Sequence, residues 1–211
     1  MVAGLFCCFA EWATAGALEV NTDWIAKSGV AQVQVDFSLP LTSGEVLNVL
    51  TDYEHMHQFV PDIYSVKLIH ADENHKLLEL KGAVEFFFIE FPIEVVMDVT
   101  FLPNGVVYLQ SVSGNLKVQG VVKVSQPGSE TQVTYSARLQ PAFWLPPVVG
   151  PALIGSQIKR QFSGQIAEMY RRHSNAAGAA GTRTIDDYKI HDTSAPLSPG
   201  RQPMYLEARQ K

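Results

Sequence analysis

The sequence predicts an α+β fold: a curved antiparallel sheet of about seven strands wrapped around one long C-terminal helix, with two short helices after the first strand. Three observations predict it. Segments between Val30 and Leu139 alternate apolar and polar residues with the period of two that half-buried strands require. Turn-forming pairs such as Asn104-Gly105 separate neighbouring segments and join them as hairpins. From Gly150-Pro151 the period becomes helical, with Leu153, Ile154, Ile158, Phe162, Ile166 and Met169 in one stripe that ends near Arg172. A stripe of that size must be buried, and the sheet is the only large partner.

The elements follow in order. Val33, Val35, Phe37 and Leu39 form one face of the first strand, against Gln32, Gln34, Asp36 and Ser38. Pro40 ends it. Thr42 with Glu45 three residues on is a capping box, and Val46, Leu47, Val49 and Leu50 are the apolar side of a short helix. Asp52 is placed to cap a second short helix that finishes before Pro61. Ile63 to His70 is the next strand, and Ala71 to Asn74 a turn. Lys76 to Glu85 follows, with Leu78, Leu80, Gly82 and Val84 facing inward. The longest alternating run, Phe87 to Phe101, contains Pro92, which implies an edge position or a bulge. Val106 to Ser113 returns antiparallel. Leu116, Val118, Gly120, Val122 and Val124 make another inward face, and Val133, Tyr135, Ala137 and Leu139 line the last strand. Beyond His173 the chain turns Ala- and Gly-rich, then polar without periodicity, and residues 174–211 read as a disordered tail.

Composition narrows the function. The 211 residues carry a net charge of -5, which argues against nucleic acid as a partner, since phosphate binding relies on Lys and Arg. The stretch from Val30 to Arg172 is long enough to bury roughly two-thirds of its unfolded surface without a disulfide or metal. The two cysteines are the adjacent Cys7 and Cys8, so the body of the protein has no thiol nucleophile and no thiolate zinc site. Residues 1–17 resemble a signal peptide: a short apolar run, Val2 to Ala10, precedes the small-x-small patterns Ala13-Thr14-Ala15 and Ala15-Gly16-Ala17. Export to the periplasm or medium is the expectation, with a cytoplasmic location as the alternative. The apolar run is too short to span a membrane.

Three stretches carry a family resemblance. Val49 to Ile63, with its helix ending in Phe59-Val60-Pro61, is one. Gly114-Asn115-Leu116-Lys117 to Gly120 is the second, and Phe143-Trp144-Leu145-Pro146-Pro147 leading into Gly150-Pro151-Ala152-Leu153-Ile154 the third. Together they resemble the START-like (SRPBCC) superfamily, and within it the polyketide cyclase/dehydrase family that includes the coenzyme Q-binding START-like proteins. The resemblance covers about Val30 to Arg172. It implies a helix-grip fold, with the bent sheet gripping the C-terminal helix and an apolar cavity between them. It also implies that the protein binds, carries or presents a lipid, quinone or polyketide-like molecule; a minority of relatives catalyse cyclisation or dehydration.

Candidate ligand-binding residues come from the inward faces: Phe59, Leu80, Val84, Phe91, Met97, Val118, Val122, Tyr135, Leu153, Ile154 and Ile158. Pockets of this kind are mostly apolar with few polar groups. Gly82 and Gly120 on those faces permit strand bending or close approach of a ligand. Tyr135 is the main inward polar group, and its hydroxyl suits a ligand carbonyl or a core carbonyl. Arg138 faces outward. His55 and His57 diverge by ~200° on a helix and lack a nearby third ligand, so they are read as surface histidines and no metal is expected. Glu85, Glu90, Glu94 and Asp98 sit near or within the long run, the last three on its polar face, which reads as solvated rather than catalytic. There is no Ser-His-Asp arrangement, phosphate-cradling loop or dinucleotide fingerprint, so no cofactor is expected. Lys159, Arg160, Arg171 and Arg172 give the helix a basic side. With Trp144 and Pro146-Pro147 this suits weak contact with a membrane surface, but a solvated face with cations near the helix C-terminus is preferred. The reading is a non-catalytic carrier of a hydrophobic small molecule, which enters near Pro146, Pro147, Gly150 and Pro151. The alternatives are a cyclase/dehydratase-type enzyme and a protein-interaction module.

Overall fold

The computed structural model describes residues 17–25, 28–86, 89–143 and 150–186. The signal-like residues 1–16, Trp144 to Pro147 at the expected ligand entrance, and the tail from 187 on lie outside the described residues. The chain divides into a unit ending at Asn175 and another beginning at Ala176.

Among the described residues, eight strands form one antiparallel sheet: β1 (Glu19–Ile25), β2 (Val30–Leu39), β3 (Ile63–Ala71), β4 (His75–Phe86), β5 (Ile89–Leu102), β6 (Val106–Gly114), β7 (Leu116–Ser125) and β8 (Thr131–Pro141). Their order across the sheet is β1-β2-β8-β7-β6-β5-β4-β3. The long connection from β2 to β3 crosses to the opposite edge of the sheet, and the run of hairpins from β3 to β8 returns from there until β8 pairs with β2. One short helix, α1 (Ser43–Leu50), and a single 3-10 turn, Met56–Gln58, lie between β2 and β3; α2 (Gly150–Asp186) closes the fold.

Three expectations need correction. The sheet has eight strands rather than seven, because Glu19–Ile25 adds β1 alongside β2. The second short helix is only the 3-10 turn, without a side-chain cap. Asp52 does not cap it because its carboxylate is taken by the His55 ring at 2.7 Å and the Arg172 guanidinium at 2.7 Å. The long helix also continues past Arg172 to Asp186. Alanine has the strongest helix propensity, and the Ala-rich stretch from Ala176 extends the helix rather than ending it.

Pro92 shows how a proline fits an interior strand. β5 lies between β4 and β6, yet its pairing with β6 begins only at Val95 opposite Gly114. Pro92 therefore sits where β5 is locally an edge, and its missing N–H leaves no ladder bond unmade. Asn115 covers that gap, accepting from the Glu94 N–H at 2.9 Å and donating to the Pro92 carbonyl at 2.7 Å. At the Asn104-Gly105 turn both residues have positive φ, 64° and 72°, as a tight hairpin requires.

The core lies between the inner face of the sheet and α2. Ile154, Ile158, Phe162 and Met169 are buried there, each contributing about 1.5–3 kcal/mol by removal from water. Phe162 meets Phe37 edge-on at 5.9 Å and Tyr135 at 5.4 Å between ring centroids. The capping box forms as the sequence indicates: the Thr42 hydroxyl accepts from the Glu45 N–H, and the Glu45 carboxylate accepts from the Thr42 N–H at 2.9 Å.

The middle of α2 is latched by charge. Glu168 is buried and accepts from Arg171 at 2.6 Å and from Arg172 at 2.7 Å. Arg172 reaches on to Asp52 and lies 5.6 Å from the centre of the Phe59 ring. The hydrogen bonds from Arg171 and then Arg172 hold the Glu168 carboxyl at about 2, against an ordinary 4.5. A depressed carboxyl stabilises the fold above its unfolded value and loses that contribution as pH falls toward the folded one. The stability advantage of the wild type over Glu168→Gln should therefore shrink between pH 4.5 and about 2. Urea unfolding of both proteins across that window checks it; an advantage independent of pH would break the assignment.

Candidate functional site

α2 and the sheet enclose a cavity of about 250 Å³ whose surface is mostly apolar. β4 and β5 supply one wall, β7 and β8 the opposite one, and α2 the roof. The residues between the 3-10 turn and β3 close one side. Strand parity places the wall residues: with Leu78 and Leu80 turned inward, β4 is bound to place Gly82 and Val84 inward too. Two larger hollows, about 690 and 550 Å³, lie on the outer face of the sheet around Gln32, Gln119 and Arg138. Their linings are about half polar, so they lack the predominantly apolar wall that holds an apolar ligand.

Nine of the eleven expected residues line the cavity: Leu80, Val84, Met97, Val118, Val122, Tyr135, Leu153, Ile154 and Ile158. Phe59 and Phe91 do not. Phe59 packs beside α2 beneath Arg172. There its carbonyl oxygen stands only 2.2 Å from where a Cβ on Gly164 would lie. Phe91 stacks at 4.7 Å on Phe143, and it is Phe143 that faces the cavity. Gly82 and Gly120 admit protein rather than ligand: a Cβ at Gly82 would lie 2.2 Å from the Asp62 carbonyl, and one at Gly120 3.2 Å from the Tyr135 ring.

The cavity also holds polar groups that the apolar pattern did not reveal. Gln157, Gln161 and Gln165 of α2 all line it. Spaced by four, they form one row along the helix beside the apolar stripe. Gln157 is buried and donates to Asp62 Oδ2 at 2.7 Å; Arg160 reaches the same oxygen at 3.0 Å and also bonds the Gln157 carbonyl. Asp62 has φ of 67°, and its carbonyl accepts from the Ala83 N–H at 3.0 Å. This cluster ties the segment before β3 to both α2 and β4. Gln165 differs: its buried Oε1 has no partner among the described residues. Tyr135 and Tyr53 are buried, and burial pushes both phenols up, so they stay protonated donors.

The other expected groups lie outside the cavity. His55 is held by Asp52 on the surface, and His57 lies in the exposed turn. Glu90 accepts from the Tyr64 hydroxyl at 2.7 Å, Glu94 pairs with Lys81 at 3.6 Å and Asp98 with His75 at 2.8 Å. On the basic side of α2, Arg160, Arg171 and Arg172 are all committed to carboxylates. No helix among the described residues is long and apolar enough to cross a membrane.

A helix gripped by a bent antiparallel sheet over an internal apolar cavity is the class that fold and site define. The chain belongs to the polyketide cyclase / dehydrase and lipid transport family, whose model matches residues 39–163. The fold is similar to the STAR-related lipid transfer protein of Xanthomonas axonopodis, at 13% identity and a TM-score of 0.62, covering 74% of this chain and 98% of that one. It is also similar to the Zhui aromatase/cyclase of Streptomyces sp. R1128, at 13% identity and a TM-score of 0.56, covering 68% and 95%. A START superfamily protein of Mycobacterium smegmatis matches at 11% identity and a TM-score of 0.57, covering 66% and 97%. No match is found among curated protein sequences.

Proposed function

We propose that the protein binds and carries one amphiphilic small molecule, a lipid, quinone or polyketide-like compound, without transforming it. The observation that carries this is the predominantly apolar cavity between sheet and α2, with an unpaired amide and a phenol on its walls. An apolar body fits against Leu80, Val118, Val122, Ile154 and Ile158, and a hydroxyl or carbonyl end meets Gln165 and Tyr135. A cavity near 250 Å³ lies just below the usual size of ligand pockets, about 300–1,000 Å³, which favours a compact or single-chain compound. Lipid transfer and family membership support the reading. Against turnover, the one carboxylate on the cavity wall among the described residues, Asp62, is bonded to Gln157 and Arg160. No histidine, cysteine or lysine lines the cavity among those residues.

Native mass spectrometry of the purified protein, followed by organic extraction, tests this directly. One amphiphile per chain is expected. Gln165→Leu should weaken binding of that molecule about fivefold, since a hydrogen bond to a buried partner is worth about 1 kcal/mol, while binding the apolar dye N-phenyl-1-naphthylamine at least as tightly. A chain that carries nothing and takes up no dye would overturn the proposal.

A further inference from the structure

We infer that the hairpin joining β3 to β4 is a binding site for one divalent transition-metal ion, held by His70, Asp72 and His75. The site is separate from the cavity and stands whatever the cavity binds. The ligand nitrogens of both histidines and an Asp72 oxygen lie within 4.8 Å of one another. Asp72 Oδ2 is 3.7 Å from His70 Nε2 and 3.9 Å from His75 Nδ1. Donors bound about 2.1 Å from one ion stand at most about 4.2 Å apart, and about 3.4 Å in a tetrahedron. These two separations already fall between those limits, and the side chains that must close in are largely exposed.

Three features orient the donors toward a common point. A bulge between Leu68 and His70 changes the strand parity. Leu68 pairs with inward-facing Leu78, but His70 pairs with Leu77, whose other neighbour is Asp98 on the outer face. Without the bulge His70 would point into the core; with it, His70 joins His75 outside, as bulges re-aim side chains elsewhere. Asp72 is fixed next: its Oδ1 accepts from the Asn74 N–H at 3.1 Å, and its own N–H donates to the His75 carbonyl at 2.9 Å. That leaves Oδ2 turned to both rings. His75 supplies the third feature. Its Nε2 contacts Asp98 Oδ1 at 2.8 Å, on a different strand, while Nδ1 faces Asp72. A carboxylate that accepts a hydrogen bond from one ring N–H keeps the proton there and leaves the lone pair on the other nitrogen, which is how metal-binding histidines are usually held.

Two imidazoles and one carboxylate suit zinc, nickel or copper, and disfavour calcium and magnesium, which take oxygen. Three protein donors leave positions for water or an outside ligand.

Calorimetric titration of the untagged full chain with zinc chloride tests the inference. One zinc per chain is expected, with no uptake of magnesium. His70→Ala and His75→Ala should each abolish it at micromolar zinc. Asp98→Asn, which touches no metal in this arrangement, should weaken binding about 10–100-fold. His55→Ala/His57→Ala should leave it unchanged. Absence of zinc uptake by the wild type at 100 μM (roughly the −5 to −6 kcal/mol limit of useful affinity) would overturn the site. So would uptake that persists in the His70→Ala/His75→Ala double variant, which would place the ion on other histidines.

Discussion

Leu80→Trp should eliminate uptake of an apolar ligand while leaving the protein folded. Leu80 lies on the inner face of β4, with Val66 opposite on β3 and Val95 opposite on β5. Ladders on both sides hold its backbone, so the larger side chain has nowhere to go but into the space it already faces. Overpacking a filled core costs about 1–3 kcal/mol. Here the indole enters a cavity of about 250 Å³, and the stability change should stay within about 1 kcal/mol, or roughly 2–4 °C in Tm for a chain of this size. The same volume is then lost to any ligand. The affinity for N-phenyl-1-naphthylamine should fall more than about 100-fold, or about 2.7 kcal/mol. Arg138→Ala, in the polar hollows of the outer face, serves as the control and should bind dye as the wild type does. Dye binding unchanged in Leu80→Trp but lost in Arg138→Ala would move the binding site to the outside of the sheet.

The parts of the site legible in the sequence are those set by strand parity and helix period. Val118, Val122 and Tyr135 follow from alternation, and Ile154 and Ile158 from the stripe on α2, because each period leaves only one face to bury. What escaped was decided by the curvature of the sheet or by breaks in its regularity. Gln157, Gln161 and Gln165 have the spacing of the polar side of an amphipathic helix, and only the width of the grip turns that row toward the cavity. β1 alternates through Val20, Thr22 and Trp24, but the run is short, its middle inward residue is polar, and it adjoins the signal-like stretch. His70 was hidden because a bulge shifts it to the outer face, and nothing in the residue types announces that shift. Phe59 reads as an inward aromatic, yet its position is fixed by a contact between backbones that side-chain patterns do not encode.

That contact gives the second large effect: Gly164→Ala should destabilise the protein, although the same change in a helix interior normally stabilises by about 1 kcal/mol. Phe59 to Asp62 passes between α2 and β4 with glycine on both sides. A Cβ at Gly164 would lie 2.2 Å from the Phe59 carbonyl oxygen and 3.0 Å from Pro61 Cδ, and a Cβ at Gly82 2.2 Å from the Asp62 carbonyl oxygen. The two carbonyl oxygens are backbone atoms and the Pro61 ring is rigid, so no rotamer change relieves the clash. The segment itself is held: the Asp62 carbonyl accepts from Ala83, and its carboxylate is bonded by Gln157 and Arg160. Either alanine must push α2 or β4 outward, at about 2–4 kcal/mol, or roughly 5–15 °C in Tm. Gly178, also in α2, has open space where a Cβ would stand, and alanine there should raise Tm by a few degrees. Opposite signs at two glycines of one helix separate the clash from propensity, and thermal unfolding of the two variants reads it. The pair Gly164→Ala/Gly82→Ala sharpens the test. Both substitutions press on one segment from opposite sides, so together they should cost more than the sum of the two, whereas independent sites would simply add.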